Sequence, residues 1–265
     1  MDLELKGKRA IVTGGNRGIG LAIGRALAAE GADVALVARD KHALDAARES
    51  IAADCGRPVL AVSADTGNDQ SVREMVAEVV AALGGVDILV NAAARPNTGA
   101  VVGIDGFMGD DFSEQINVKV LGYLRCIREV VPHMRAARWG RIINISGLAA
   151  RGTGSITGSV RNVAVAALTK NLADELGRDG INVNVVHPGT TVTEKTPEIL
   201  AGRAARAGVS VADAQRGAEA SVSIGRLVTA EEVASVVAFL ASPRSVAING
   251  DAIAAGGGVM GSIHY

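Results

Sequence analysis

Short runs of apolar, largely β-branched residues recur along the chain, separated by longer stretches in which apolar positions return every three or four residues. The short runs read as buried strands and the longer stretches as amphipathic helices, because side chains repeat every two residues on a strand and every 3.6 on a helix. "RAIVTG", "DVALVA", "PVLAVSA" and "VDILVNA" give the first strands, with helices predicted near 18–30, 41–53 and 69–83 between them. The alternation continues through a helix near 111–131, the strand "GRIINIS" at 140–146, a helix near 158–176, the strand "INVNVVH" at 181–187, a helix near 230–240 and a last strand in "INGDAIAA" at 248–255. Such repetition builds βαβ units, so the pattern predicts an α/β protein with seven strands in one parallel sheet, covered by helices on both faces. Residues 190–226 interrupt it with a polar segment rich in Ala and Arg, placed after a strand's carboxyl end, where open α/β sheets bind ligands. A substrate lid on a single domain spanning 1–265 is the expectation there, with a plain surface excursion as the alternative.

Composition narrows the partners. With 48% hydrophobic residues in 265, the chain can bury a sizeable core. Its net charge is −1 and its basic residues are scattered, which argues against a nucleic-acid or anionic-membrane surface. No apolar stretch reaches the ~18 residues needed to span a bilayer, and a cytoplasmic protein is expected. Cys55 and Cys126 lie at neither metal-site nor redox-motif spacing, so no metal is expected.

Chemistry enters at "TGGNRGIG", residues 13–20, between a predicted strand and a predicted helix. Gly14, Gly18 and Gly20 fall where the chain must turn tightly, admit a pyrophosphate to the backbone and seat the helix on the sheet. The sequence here resembles the short-chain dehydrogenase/reductase family, whose glycine signature is T-G-x-x-x-G-x-G. Further marks run through nearly the whole chain: Asp65 after the third strand, "NAA" at 91–93, Asn117, Pro188-Gly189 with Thr193 four residues on, and the ending "GRLVTAEEVASVVAFLASPRSVAINGDAIAAGGG".

The resemblance implies a Rossmann-type doubly wound sheet and an NAD(P)-dependent oxidoreductase acting on a carbonyl or alcohol of a small-molecule substrate. It also implies a homodimer or homotetramer, joined through the helices near 111–131 and 158–176. The cofactor-binding residues carried over are Gly14, Asn16, Arg17, Gly18, Ile19, Gly20, Arg39, Asp65, Thr66, Asn91, Ala92, Ala93, Ile145, Pro188, Gly189 and Thr193. By the same resemblance Asp65 and Thr66 bracket the adenine, Asn91 sits by the adenine ribose and Thr193 holds the nicotinamide carboxamide. Where family members that prefer NAD carry an acid at the end of the second strand, this chain has Ala38 followed by Arg39. With Arg17 in the glycine loop, that favours the 2′-phosphate of NADP over NAD. Asp40 lies at the spacing of a ribose-binding acid, yet it also precedes a predicted helix that it would cap.

Family members generally reduce carbonyls with a Ser after the fifth strand, a Tyr about thirteen residues on, a Lys four beyond it and an Asn on the preceding helix. With Leu168 and Lys170 fixing the register, Gly158 and Asn162 stand at the Tyr and Lys positions, and Gly147 at the Ser position beside Ser146. Asn117 is expected to be the member of the set that remains. Ser146 and His187, at the end of a strand, are the substitute candidates. Tyr123 lies about 240° around the helix from Asn117 and is expected to face away from the cleft. Tyr265 would act only from a neighbouring subunit, and Arg203 and Arg206 in the lid could attract an anionic group. Three functions follow: an NADP(H)-dependent oxidoreductase with an atypical proton donor, a non-catalytic NADP(H)-binding protein, or non-redox chemistry in the same cleft.

Overall fold

A computed structural model of the chain describes residues 1–95 and 104–260; Tyr265 lies outside the described residues. β1 (Arg9–Thr13), β2 (Asp33–Ala38), β3 (Leu60–Ser63), β4 (Ile88–Asn91), β5 (Gly140–Ile145), β6 (Ile181–Pro188) and β9 (Ala252–Ala255) form a seven-stranded sheet in the order β3-β2-β1-β4-β5-β6-β9. All its pairings are parallel. β7 (Thr191–Val192) and β8 (Val228–Thr229) pair separately. Strand order reverses between β1 and β4, and a doubly wound sheet opens its ligand crevice at the carboxyl ends of such a pair.

Alternation within the strands splits the core in two. Ala10 and Val12 of β1 pack with α1 (Gly18–Ala29), α2 (Lys41–Cys55) and α9 (Ala230–Ala241) on one face. Ile11 packs with α3 (Asp69–Leu83) and the later helices α5 (Gly122–Ala137) and α6 (Ile156–Leu176) on the other. Polar side chains mark the helix starts: Asp40 caps α2, Asn68 caps α3, Ser155 caps α6, and Thr229 with Glu232 forms a capping box on α9.

Two stretches differ from the periodicity. The helix expected near 111–131 is a longer composite: α4 (Gly109–Ile116), a π turn at Asn117–Leu121, then α5. The 190–226 segment carries regular structure, with α7 (Thr196–Ala207) and α8 (Val211–Ala220) packed on each other. α7 buries Leu200 and Ala204, whereas α8 buries none of its residues. No helix among the described residues is long and apolar enough to cross a membrane, and none of their His, Cys, Asp and Glu cluster as a metal site would require.

Candidate active site

The glycine loop closes on itself. Gly14 takes the left-handed conformation at φ +68°, and a Cβ on Gly20 would lie 2.2 Å from the Gly14 carbonyl oxygen, so α1 can seat here only without that atom. α1 begins without a side-chain cap and without an acidic residue in its first turn. Its leading N–H groups and the positive end of its dipole are thus left for an anion. Thr13 Oγ1 accepts from the backbone N–H of Ala92 at 3.1 Å and of Ala93 at 3.2 Å, drawing the loop after β4 against the glycine turn. From the other side, Thr193 Cγ2 would be 3.6 Å from a Cβ on Gly18. Residues 13–20, 91–93 and Thr193 are therefore brought together at the switch point.

Around this cradle Asp65 Oδ1 accepts from Gly67 N–H at 2.9 Å, and Thr66 is buried. The buried Asn91 donates to Asn144 Oδ1 at 2.9 Å, while its own Oδ1 has no hydrogen-bond partner among the described residues. Asp40 accepts from Ala43 N–H at 3.0 Å and so acts as a cap. Arg17 and Arg39 are exposed and form no hydrogen bond or ion pair through their side chains with a described residue. An uncapped helix start, a turn that excludes a side chain, an orphaned buried acceptor and two unengaged guanidinium groups fit a phosphorylated dinucleotide.

The second half of the site lies at the carboxyl end of β5. Ile145 ends that strand, and Ser146 Oγ donates to the Asn162 carbonyl oxygen at 3.0 Å, which ties it to α6. A Cβ on Gly147 would sit 3.2 Å from Asn162 Nδ2, and one on Gly158 would sit 3.8 Å from Ala149 Cβ. Gly147, Gly158 and Asn162 thus gather here. His187 is held inside β6 at 1% exposure. Pro188 ends that strand, and Gly189 O accepts from Thr191 Oγ1. Arg203 donates to Thr190 Oγ1.

Asn117 and Tyr123 stand opposite to expectation. The Asn117 amide donates to Gly67 O at 3.2 Å and accepts from Arg125 at 2.9 Å, so it holds the turn after β3 and leaves the end of β5. Tyr123 faces inward, buried, with its hydroxyl donating to Ile145 O at 2.9 Å. Both reversals trace to the π turn: a helical wheel drawn at 3.6 residues per turn assigns faces wrongly across it. Burial drives the Tyr123 phenol far above its ordinary range.

The same turn supplies a residue the sequence reading passed over. Lys119 is 4% exposed, and its Nζ donates to the Ser146 carbonyl oxygen at 3.1 Å. Across from it Arg161, also buried, donates to Gln115 Oε1, and Gln115 donates to Asp111 Oδ2 at 2.7 Å. Burial, with the Arg161 charge beside it, draws the Lys119 ammonium down to about 7. The available signal was a single charge in the apolar helical stretch "INVKVLGY".

A family model described as Enoyl-(Acyl carrier protein) reductase matches residues 14–260. The short-chain reductase protein NovJ of Streptomyces niveus is 36% identical, over 94% of this chain and 92% of its own. Among solved structures, L-sorbose reductase from Gluconobacter frateurii, complexed with NADPH and L-sorbose, superposes with a TM-score of 0.92 at 31% identity, covering 99% of this chain and 100% of its own. An NAD+-bound xylitol dehydrogenase gives 0.87 at 27%, covering 96% and 100%.

Proposed function

The chain belongs to the short-chain dehydrogenase/reductase family, and we propose that it is an NADP(H)-dependent oxidoreductase that interconverts a carbonyl and an alcohol on a small molecule without a tyrosine proton donor. The observation that carries this reading is the tight glycine turn beside the uncapped start of α1. The glycine turn, the bare start of α1 and the loop at 91–93 converge on one crevice, where reduced nicotinamide would supply hydride.

Asn16 and Ile19 belong to the loop that passes the pyrophosphate, and Asp65 and Thr66 flank the adenine. Asn91 turns its free acceptor toward the ribose. Ile145, Pro188, Gly189 and Thr193 close the nicotinamide end. L-Sorbose reductase binds NADPH and xylitol dehydrogenase binds NAD+, so the choice of nucleotide rests on this chain's own residues. Arg17 and Arg39 are unengaged, whereas the nearby acid, Asp40, is committed to capping α2. This favours NADP. β7, α7 and α8 within 190–226 serve as cover for the substrate.

Calorimetry with NADPH and NADH, followed by absorbance during incubation with carbonyl compounds, tests the proposal. Preferential NADPH binding with nicotinamide oxidation is the expected result. Equal binding of both nucleotides, or conversion of a substrate with no change in nicotinamide absorbance, would count against it. A second reading, a non-catalytic NADP(H)-binding protein, is favoured by the absence of a hydroxyl at Gly147 and Gly158 and by the commitment of the Ser146 hydroxyl to Asn162. It requires NADPH binding without turnover.

A further inference from the structure

Lys119 lies at the end of β5, next to the stretch in which the usual proton-transfer side chains are absent. Gly147 and Gly158 contribute none, and Asn162 carries a shorter one than lysine. The π turn packs on α6 and delivers the Lys119 amine to the end of β5, 3.1 Å from the Ser146 carbonyl oxygen. A buried ammonium is costly unless well partnered. Among the described residues no carboxylate forms an ion pair with this one, and one carbonyl accepts from a group with three donors. N–H capacity is therefore left for an oxygen entering the cleft.

The other groups near the amine do different work. Arg161 on α6 keeps its proton and disfavours a second positive charge at Lys119. Asp111 on α4 is linked to Arg161 through Gln115 and offsets part of the Arg161 charge. Tyr123 on α5 has its hydroxyl hydrogen on Ile145 O, and the Ser146 hydroxyl hydrogen is on Asn162 O. Neither hydroxyl has a proton directed to the cleft.

We propose that Lys119 Nζ gives and takes the proton of the substrate oxygen in this chain, an assignment that rests on the oxidoreductase reading above. In reduction, Lys119 passes its proton to the carbonyl oxygen as the C=O π pair moves onto that oxygen, the carbon taking the hydride that a bound reduced nicotinamide would supply. An N–H bond breaks and an O–H bond forms. The carbonyl is reduced to an alcohol, the two electrons would come from the reduced nicotinamide, and the neutral amine regains its proton from solvent. Alcohol oxidation reverses each change. An amine drawn to about 7 is populated in both forms near neutral pH, the condition under which a general acid–base is effective. Arg161 is a positioning residue that sets the poise of Lys119.

The test uses the full chain, NADPH, and ethyl acetoacetate, diacetyl and L-sorbose as carbonyl probes. NMR of the Lys119 ε-carbon, with labelled lysine and NADPH present, is expected to show titration near 7; an ordinary value of ~10.4 overturns the assignment. Lys119→Met and Lys119→Arg are expected to bind NADPH within about twofold of wild type and to lose ~10²–10⁴ in kcat together with the pH limb near neutrality. Lys119→Arg separates proton transfer from charge, because guanidinium does not release its proton. Full activity in Lys119→Arg, or an unchanged rate and pH profile in Lys119→Met, overturns the assignment and leaves the oxidoreductase reading standing. Wild-type protein that binds NADPH and reduces none of the probes at any pH overturns that reading and the Lys119 assignment with it.

Discussion

Gly20 lies so close to Gly14 that a Cβ on it would come within 2.2 Å of the Gly14 carbonyl oxygen. The contact is with backbone, so no side-chain rotation relieves it. Gly20→Ala must push α1 off the turn, and its expected effect is a loss of about 1–3 kcal/mol in stability with at least ~10-fold weaker NADPH binding. Denaturant unfolding and calorimetry measure the two. Unchanged NADPH affinity in a folded Gly20→Ala protein would remove the cradle from its proposed role.

Cofactor preference follows from which charges are engaged. Arg39→Ala is expected to lower the preference for NADPH over NADH by roughly tenfold, the worth of one charge-assisted contact. The wild-type preference should also shrink as salt rises, because Arg17 and Arg39 are exposed. Asp40→Ala separates cap from ribose ligand: it should cost about 1 kcal/mol of stability through α2 and leave NADH affinity unchanged. Loss of NADH binding in that variant would place Asp40 on the nucleotide.

Stability should depend on pH through Lys119. The ammonium is drawn to about 7 in the folded chain, against ~10.4 when unfolded. Between those values the unfolded chain binds more protons, so this group's contribution to stability is lowest below about 7 and rises as pH climbs toward 10. Lys119→Met should remove that slope and, near pH 6, exceed wild type by about 1–4 kcal/mol, since it replaces a buried charge with an apolar side chain. Unfolding midpoints on both sides of neutrality decide this, and a parallel pH slope in the variant would place the titration elsewhere.

How much of this could be read beforehand depended on whether the signal was local. Strand runs such as "DVALVA" and the glycine loop carry their structure in consecutive residues, so the sheet and the cradle were legible. Asn117 and Tyr123 were misplaced because the π turn between them leaves no recognised mark in composition, yet it changes which face every later residue presents. Lys119 was passed over for a related reason: its value lies in Ser146 and Arg161, which are distant in sequence and adjacent only once β5 and α6 pack. Within 190–226, α8 buries none of its residues, so no core-facing stripe marks it.

Association should run through the π turn, α5 and α6, where Leu121, Leu124, Val160 and Val163 are exposed apolar residues. Neighbouring solvent-facing apolar groups on two helices are normally covered by a second surface. Leu124→Glu is therefore expected to shift sedimentation from dimer or tetramer toward monomer at micromolar concentration, with NADPH binding retained. A wild-type monomer at that concentration would dispose of the interface.

The bare start of α1 has a further effect, on how much of the chain persists in a cell. No side chain caps its leading N–H groups, so a nucleotide bound there as proposed would complete that helix end. A ligand that binds only the folded form, at a free concentration of ~100 times its Kd, stabilises it by about 2.7 kcal/mol. A change of that size alters the unfolded fraction offered to proteases by roughly a hundredfold. The steady-state amount of this protein would then track the supply of the dinucleotide in either redox state, rising when it is plentiful and thinning by turnover when it is scarce.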